Sequence, residues 1–90
     1  MIKIDKKEIL EKINYTELAY SRIRKKLSIQ LVNKEIENYI FMAIKETPLE
    51  CFEKIGKNYY ITNLKLGFRI TINASTTRII TVDKVSKSED

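Results

Sequence analysis

Three side chains in the C-terminal half, Tyr60, Arg69 and Thr81, form a combination that can bind anions or bases. Each lies in a segment that alternates apolar and polar residues, and the predicted pairing of these segments places the three in one row across three strands. A planar guanidinium between a phenol and a hydroxyl can bind phosphate or stack on a base. On an ordinary solvated face, by contrast, Arg69 would simply pair with Asp83.

This row depends on side-chain parity, because residues paired on adjacent strands share a face. The register requires Asn73 to pair with Thr77 across a three-residue loop, or a bulge equivalent to it. The expected core face carries Tyr59, Ile61, Phe68, Ile70, Ile72, Ile80 and Val82. The expected open face carries Asn58, Tyr60, Thr62, Arg69, Thr71, Asn73, Ile79, Thr81 and Asp83.

A second candidate site is the basic sequence RIRKK, which begins at Arg22. On a helix, Arg22, Lys25 and Lys26 share one side, while Ile23 and Leu27 point inward. Such a patch can bind a nucleic-acid backbone by displacing counterions, which gives affinity without sequence specificity. A solvated helix face near a C-terminus, favoured by the helix dipole, would explain the same charges.

A weaker phosphate-binding candidate is the sequence EKIGKN, in which Lys54 and Lys57 flank Gly56. It matches no known phosphate-loop pattern. We therefore do not include it among the predicted binding residues.

The composition excludes several chemistries. The chain has no histidine and a single cysteine, Cys51, which rules out Ser-His-Asp and Cys-His catalysis, an intrachain disulfide and a cysteine-cluster zinc site. No pair of carboxylates has a spacing typical of acid–base catalysis. We predict no metal and no cofactor, and we favour a noncatalytic protein in which Cys51 is a small buried residue.

The charge and hydropathy indicate the compartment and the class of partner. A net charge of +5 fits an anionic partner, but the basic residues are spread along the chain, so local clusters matter more. No apolar stretch approaches the roughly 18 residues that a membrane span needs, and the start lacks the apolar region of a signal peptide. We expect a cytoplasmic protein with no membrane contact.

Helical spacing of apolar residues predicts three helices in the first half of the chain. The first covers residues 5–13, and the second runs from about Tyr15 to Ser28 with Asn14 as its cap. The third begins at Asn33 and ends at Thr47-Pro48, because proline disfavours helical geometry in the residue before it. Its apolar arc, broadened by Phe41 and Met42, predicts a central position between the sheet and the other helices.

After Pro48 the apolar period changes to two, which predicts strands. CFEKI is a possible edge strand, and KNYYIT, GFRITIN and RIITVDKV are stronger ones. The expected fold is α+β, with three N-terminal helices packed on one face of a C-terminal three- to four-stranded antiparallel sheet. We expect one domain over residues 1–85 and a disordered tail over residues 86–90.

Three stretches together resemble one known family. They are INYTELAYSRIRKKL, EIENYIFMAIKETP and KIGKNYYITNLKLGFRITINASTTRIITVD, which span most of the chain. In order and spacing they resemble domain-of-unknown-function family 3781, a group of short bacterial proteins. The resemblance implies a small cytosolic bacterial protein, and it implies no activity.

A looser similarity, at the level of the fold, links the chain to small ribonuclease toxins of the RelE and barnase-like group. Those proteins also place helices before an antiparallel sheet and use residues of its open face without an obligatory histidine. By this analogy only Tyr60, Arg69, Arg78 and Thr81 would take such roles, and no motif assigns any of them.

Three functional hypotheses follow from these patterns. The first is a noncatalytic module that binds nucleic acid or a nucleic-acid-handling protein. The second is an inhibitor or regulator of a host or defence enzyme, encoded by a phage or mobile element, which acts by protein contact and can dimerise through a strand edge. The third is a metal-independent ribonuclease toxin. The candidate binding residues are Arg22, Lys25, Lys26, Asn58, Tyr60, Arg69, Thr71, Arg78 and Thr81.

Overall fold

Three helices precede a four-stranded antiparallel sheet in the computed structural model, which describes residues 4–85 of the 90-residue chain. The strands follow the spatial order β1-β2-β3-β4. The α+β class, with helices before the sheet, is confirmed, whereas the predicted tail lies outside the described residues. The elements are α1 (Lys6–Lys12), α2 (Glu17–Leu27), α3 (Asn33–Glu46), a 3₁₀ turn (Leu49–Cys51), β1 (Phe52–Ile55), β2 (Asn58–Asn63), β3 (Phe68–Asn73) and β4 (Ile79–Lys84).

The start of α2 differs from the prediction. The hydroxyl of Thr16 accepts a hydrogen bond from the backbone N–H of Ala19 at 3.1 Å and so caps the helix. The predicted cap, Asn14, instead forms an isolated parallel bridge with Arg78 beside the sheet. Threonine and asparagine are both good caps, and the pairing of Asn14 with the sheet decides between them.

Helix α3 contacts α1, α2 and β2, but α2 also packs directly on β4, and the buried arc of α3 is narrower than expected. Ile36, Ile40 and Ala43 are buried with Ile44, whereas Phe41 is 39% and Met42 46% exposed. Each residue turns a helix by about 100°, so these two positions lie well away from the buried stripe. The prediction that they broaden the buried arc is therefore wrong.

One buried cluster joins the helices to the sheet. Residues of α1, α2 and α3 pack in it against side chains from one face of the sheet, which alternate along β3 as Phe68, Ile70 and Ile72. Cys51, predicted to be buried, is only half-buried at the edge of this core. The cluster contains Ile9, Ala19, Ile23, Ile36, Ile40, Ala43, Ile44, Phe52, Ile61, Phe68, Ile70, Ile72, Ile79 and Val82.

The turn between β2 and β3 covers residues 64–67 and is closed by Asn63. The carbonyl of Asn63 accepts from the N–H of Gly67, and its side-chain oxygen accepts from the N–H of Leu66, both at 2.8 Å. Gly67 has a φ of 80°, a left-handed conformation that glycine adopts without steric cost. Asn63 consequently pairs with Phe68 and sets the register of β2 on β3.

The turn between β3 and β4 contains a bulge in place of a direct pairing of Asn73 with Thr77. Thr77 is left-handed, with a φ of 57°, and its N–H donates to the carbonyl of Asn73 at 2.8 Å. The N–H of Asn73 donates to the carbonyl of Arg78 at 2.9 Å. The turn therefore places Arg78, and not Thr77, opposite Asn73, so the predicted register at this turn is wrong by one residue.

A second irregularity follows in β4. The pairing shifts between Thr71 and Ile72, so that Ile72 lies opposite Ile79 and Thr71 opposite Thr81. Ile80 is the extra residue of a β-bulge. Ile79 is consequently buried, at 1% exposure, and Ile80 is only half-buried, which reverses the predicted assignment of these two residues.

Candidate nucleic-acid interface

The basic side chains of α2 lie on its solvent side. Arg22, Lys25 and Lys26 are exposed, while Ile23 is fully buried. Residues three and four apart share one side of a helix, so the three cations form a patch and not a belt. The structure confirms this part of the predicted arrangement.

Helix α2 lies against β4, the last strand of the sheet. The guanidinium of Arg22 donates to the carbonyl of Ile80 at 3.2 Å, and the Lys26 ammonium lies 2.9 Å from Asp83 Oδ1. Asn14, just before α2, accepts from the N–H of Ile79 at 2.9 Å. The helix therefore covers the edge of β4 and carries its cations along it.

Arg78 lies at the other end of this edge, exposed and paired with Asn14. We call the surface formed by Arg22, Lys25, Lys26 and Arg78 the α2–β4 rim. Between Arg69 and Lys84 the sequence contains one acidic residue, which is Asp83. Helix α2 adds one further acidic residue, Glu17, so cations outnumber carboxylates on α2 and β4 together.

The predicted row of Tyr60, Arg69 and Thr81 is wrong. Arg69 lies opposite Thr62 on β2 and opposite Asp83 on β4, because each hairpin pairs two residues away from the predicted register. Tyr60 and Arg69 nevertheless share a face as diagonal neighbours. One row holds Tyr60, Thr71 and Thr81, and the next holds Thr62, Arg69 and Asp83.

Polar contacts on the open face involve its own side chains. Arg69 Nε donates to Thr62 Oγ1 at 3.0 Å, and Asn58 Nδ2 lies 3.5 Å from the Tyr60 hydroxyl. Thr71 is buried between its neighbours, whereas Asn58, Tyr60 and Thr81 are half-buried and Arg69 is exposed. The face presents hydroxyl and amide groups around a single arginine.

The charge of the open face does not favour anions. Asp83 lies opposite Arg69, and Glu53 lies farther across the same face, opposite Tyr60, so the face carries two carboxylates and a single guanidinium. This places the cationic surface at the α2–β4 rim and not at the centre of the sheet. In the weaker candidate sequence, Lys54 Nζ donates to the carbonyl of Gly56 at 3.2 Å, within its own turn.

A cleft between α2 and α3 was not foreseen from the sequence. Tyr15 and Tyr20 stack, with ring centroids 5.1 Å apart and planes 6° from parallel. The Tyr20 hydroxyl donates to Glu37 Oε2. We call this the tyrosine cleft; it has a volume of about 400 Å³ and is lined by Ile13, Asn14, Tyr15, Tyr20, Glu37, Asn38 and Phe41.

Burial and the Glu37 carboxylate disfavour the charged forms of both phenols. Burial, the hydrogen bond to Glu37 and the charge of Glu37 raise the pKa of Tyr20 to about 12. Burial, with the charge of Glu37, raises the pKa of Tyr15 well above its usual value. The Tyr15 hydroxyl is buried without a hydrogen-bond partner in the described chain. The only sequence signal was two tyrosines five residues apart, which by itself indicates no site.

Residues 4–85 contain no cluster of three or more cysteine, aspartate or glutamate side chains suited to holding a metal ion. Within the same range, no helix combines the length and the apolar character that crossing a bilayer requires.

Comparison with known proteins identifies a family. No significant match was found among curated proteins, and none among solved structures. One family model, described as "Protein of unknown function (DUF3781)", matches residues 7–83. Since this match covers most of the 90-residue chain, the protein belongs to the DUF3781 family.

Proposed function

We propose that this protein is a noncatalytic nucleic-acid-binding module that contacts the phosphate backbone through the α2–β4 rim. The observation that carries the proposal is the position of α2 on the edge of β4, where Arg22 and Lys26 contact the strand and Arg78 pairs with Asn14 just before the helix. Lysine and arginine side chains that neutralise phosphates release condensed counterions, and this release drives binding. A cytoplasmic location in a bacterium is part of the proposal.

The open face of the sheet has a secondary role in this proposal. Arg69 lies opposite the Asp83 carboxylate and shares its face with Glu53, so it is a poor first contact for a polyanion. Tyr60 can stack on an unpaired base, and Thr71 and Thr81 lie in its row. We therefore assign phosphate contacts to the rim and base contacts, where they form, to the row of Tyr60.

The test is a salt series of fluorescence anisotropy titrations with labelled single-stranded RNA and duplex DNA. The site variant replaces Arg22, Lys25 and Lys26 by glutamine. We expect it to lower the affinity at low salt by about tenfold or more, and to reduce the slope of log affinity against log salt by about two to three.

A matched control removes the same charge elsewhere. Lys7, Lys45 and Lys65 are exposed on α1, on α3 and in the turn before β3. Replacing these three by glutamine should leave most of the affinity intact. If the two triple variants bind equally, net charge and not the rim determines binding; if the wild type fails to bind at low salt, the proposal is wrong.

A second candidate, a protein-interaction module, is favoured by the free edge of the sheet. Among residues 4–85, β1 pairs only with β2, and its Ile55 is 59% exposed. Such an edge can pair with a strand of an inhibited enzyme or of a second copy. Co-purification of one dominant protein, insensitive to nuclease treatment, would favour this candidate over nucleic acid.

The ribonuclease hypothesis keeps Tyr60 and Arg69 as neighbours on one face, although not in one row with Thr81. It predicts that induced expression arrests growth and that Arg69→Ala relieves the arrest. Harmless expression of the wild-type chain would dismiss it.

A further inference from the structure

The tyrosine cleft carries a charge that is opposite to that of the protein as a whole. Glu37 is the only lining residue that is charged at neutral pH, in a chain of net charge +5. Within residues 4–85 no lysine or arginine forms an ion pair with it. Its one bonded oxygen accepts from the Tyr20 hydroxyl, which leaves its negative charge uncompensated.

Arg24, a basic residue that acts on Tyr20, is held by other groups. Arg24 lies one helical turn after Tyr20, but its Nε donates to the carbonyl of Leu31 at 2.9 Å and its Nη2 donates to the side-chain oxygen of Asn33. Both bonds direct the guanidinium toward the loop before α3. The Glu37 carboxylate can therefore bind a cation from outside the protein.

Asn14 adds a second acceptor to the cleft. Asn14 uses its amide nitrogen in two bonds, to the carbonyls of Lys12 at 3.2 Å and Thr76 at 2.8 Å. This fixes the amide orientation and leaves its Oδ1 as an acceptor. A carboxylate and an amide oxygen together favour a ligand with several N–H donors and a positive charge over an anion.

Aromatic rings supply the remaining wall. The cleft includes the stacked rings of Tyr15 and Tyr20, and Phe41, with 39% of its surface exposed, lies at its mouth. Aromatic faces attract cations electrostatically and cover apolar stems. A volume of about 400 Å³ suits one small group and not a folded polymer.

From the juxtaposition of the Glu37 carboxylate, the Asn14 amide oxygen and the three rings, we infer that the tyrosine cleft binds a primary ammonium group on a short aliphatic stem. The ammonium donates to Glu37 and Asn14, and the stem packs against Phe41. This site is independent of the α2–β4 rim, so either one can exist without the other.

The test is an NMR titration of the full chain with n-butylammonium, following the ring resonances of the tyrosines and of Phe41. Neutral n-butanol has a similar stem without the charge, and tetramethylammonium has the charge without N–H donors. We expect saturable shifts of Tyr15, Tyr20 and Phe41 with n-butylammonium, and weaker binding of both controls.

Variants assign the effect to the cleft. Glu37→Gln keeps an acceptor for Tyr20 and should weaken n-butylammonium binding by about tenfold or more. Glu46→Gln removes one carboxylate from an exposed position of α3 and should leave binding unchanged. If Glu37→Gln fails to fold, Phe41→Ala at the exposed mouth should weaken binding instead.

The inference is wrong if n-butylammonium produces no saturable shift, if n-butanol binds equally well, or if Glu37→Gln and Glu46→Gln behave alike. It is supported if only the charged probe with donors saturates the cleft and only the cleft variants weaken it.

Discussion

The ammonium group of Lys26 lies 2.9 Å from the carboxylate of Asp83, and this ion pair joins the basic side of α2 to the open face of β4. Both side chains are about half exposed, so the pair contributes at most about 1 kcal/mol to stability. Its larger consequence is electrostatic. Asp83 neutralises part of the rim that we propose as the phosphate contact.

Removing this acidic group should therefore strengthen nucleic-acid binding. We expect Asp83→Asn to free Lys26, to raise the affinity for RNA or DNA severalfold, and to steepen the salt dependence by about one. Anisotropy titrations over a salt series measure both quantities. Glu50→Gln, which removes one charge from the 3₁₀ turn before β1, is the matched control. Equal gains in the two variants would contradict a specific role of the rim.

Because of the bulge in β4, we expect alanine substitutions of the adjacent residues Ile79 and Ile80 to differ in their effect on the free energy of unfolding. Ile79→Ala should cost about 2–5 kcal/mol of unfolding free energy, because it leaves a cavity beneath the helices. Ile80→Ala should cost clearly less, because Ile80 is only half-buried at the bulge. Urea unfolding of both variants gives the comparison. If Ile80→Ala were the more destabilising variant, Ile80 and not Ile79 would face the core, as simple alternation predicts.

A buried hydrogen bond between Asn63 and Thr47 links β2 to the end of α3. The fully buried Thr47 hydroxyl donates to the carbonyl of Ala43 at 2.6 Å and accepts from the Asn63 amide at 3.0 Å. Thr47→Val keeps the shape but leaves the amide without its acceptor, at a cost of about 1–3 kcal/mol. Thr47→Ser keeps the hydroxyl and should lose only about 1 kcal/mol for the methyl group. A valine variant as stable as the serine variant in urea would exclude this role.

The raised pKa of Tyr20 predicts that the folded state loses stability at alkaline pH. Its pKa is raised from 10.0 in the unfolded chain to about 12 in the fold, so between these values the folded state holds a proton that the unfolded state releases. Stability from this group is complete below about pH 10 and is lost as the pH rises to about 12. The charged groups that act on the pKa of Tyr20 are Glu37 and Glu17, which raise it, and Arg24, which lowers it.

The measurement is urea unfolding of the wild type and of Tyr20→Phe over this alkaline range. The variant should lose less stability as the pH rises, because other titrating groups are common to both proteins. Near neutral pH, Tyr15→Phe should change the free energy of unfolding little, because the hydroxyl that it removes is buried and has no hydrogen-bond partner in the described chain. Parallel alkaline profiles for wild type and Tyr20→Phe would show that the phenol of Tyr20 titrates normally.

Much of the architecture follows from local pattern. The change of apolar period after Pro48 predicts helices followed by strands, and the alternation in β3 predicts that Phe68, Ile70 and Ile72 face the core while Arg69 does not. These outcomes depend on which side of one element is apolar. That property is encoded within a few consecutive residues.

The rows across the sheet could not be derived in the same way. Pairing between strands depends on turn geometry, and here Thr77 takes a left-handed conformation and Ile80 forms a bulge. Two extra residues, Thr77 in the turn and Ile80 in β4, together keep Thr81 on the face of Arg69 but move it away from that residue. The predicted face is therefore correct for Thr81 and Val82 and wrong for Ile79 and Ile80, and the predicted cross-strand partners are wrong.

By itself, the sequence determined the class of the fold, the basic side of α2 and the apolar faces of β2 and β3, because these depend on periodicity along the chain. Only the tertiary structure decided that α2 lies on the edge of β4 and that Tyr20 meets Glu37 across α2 and α3. Contacts between residues far apart in sequence depend on how elements pack, and no local period specifies that packing.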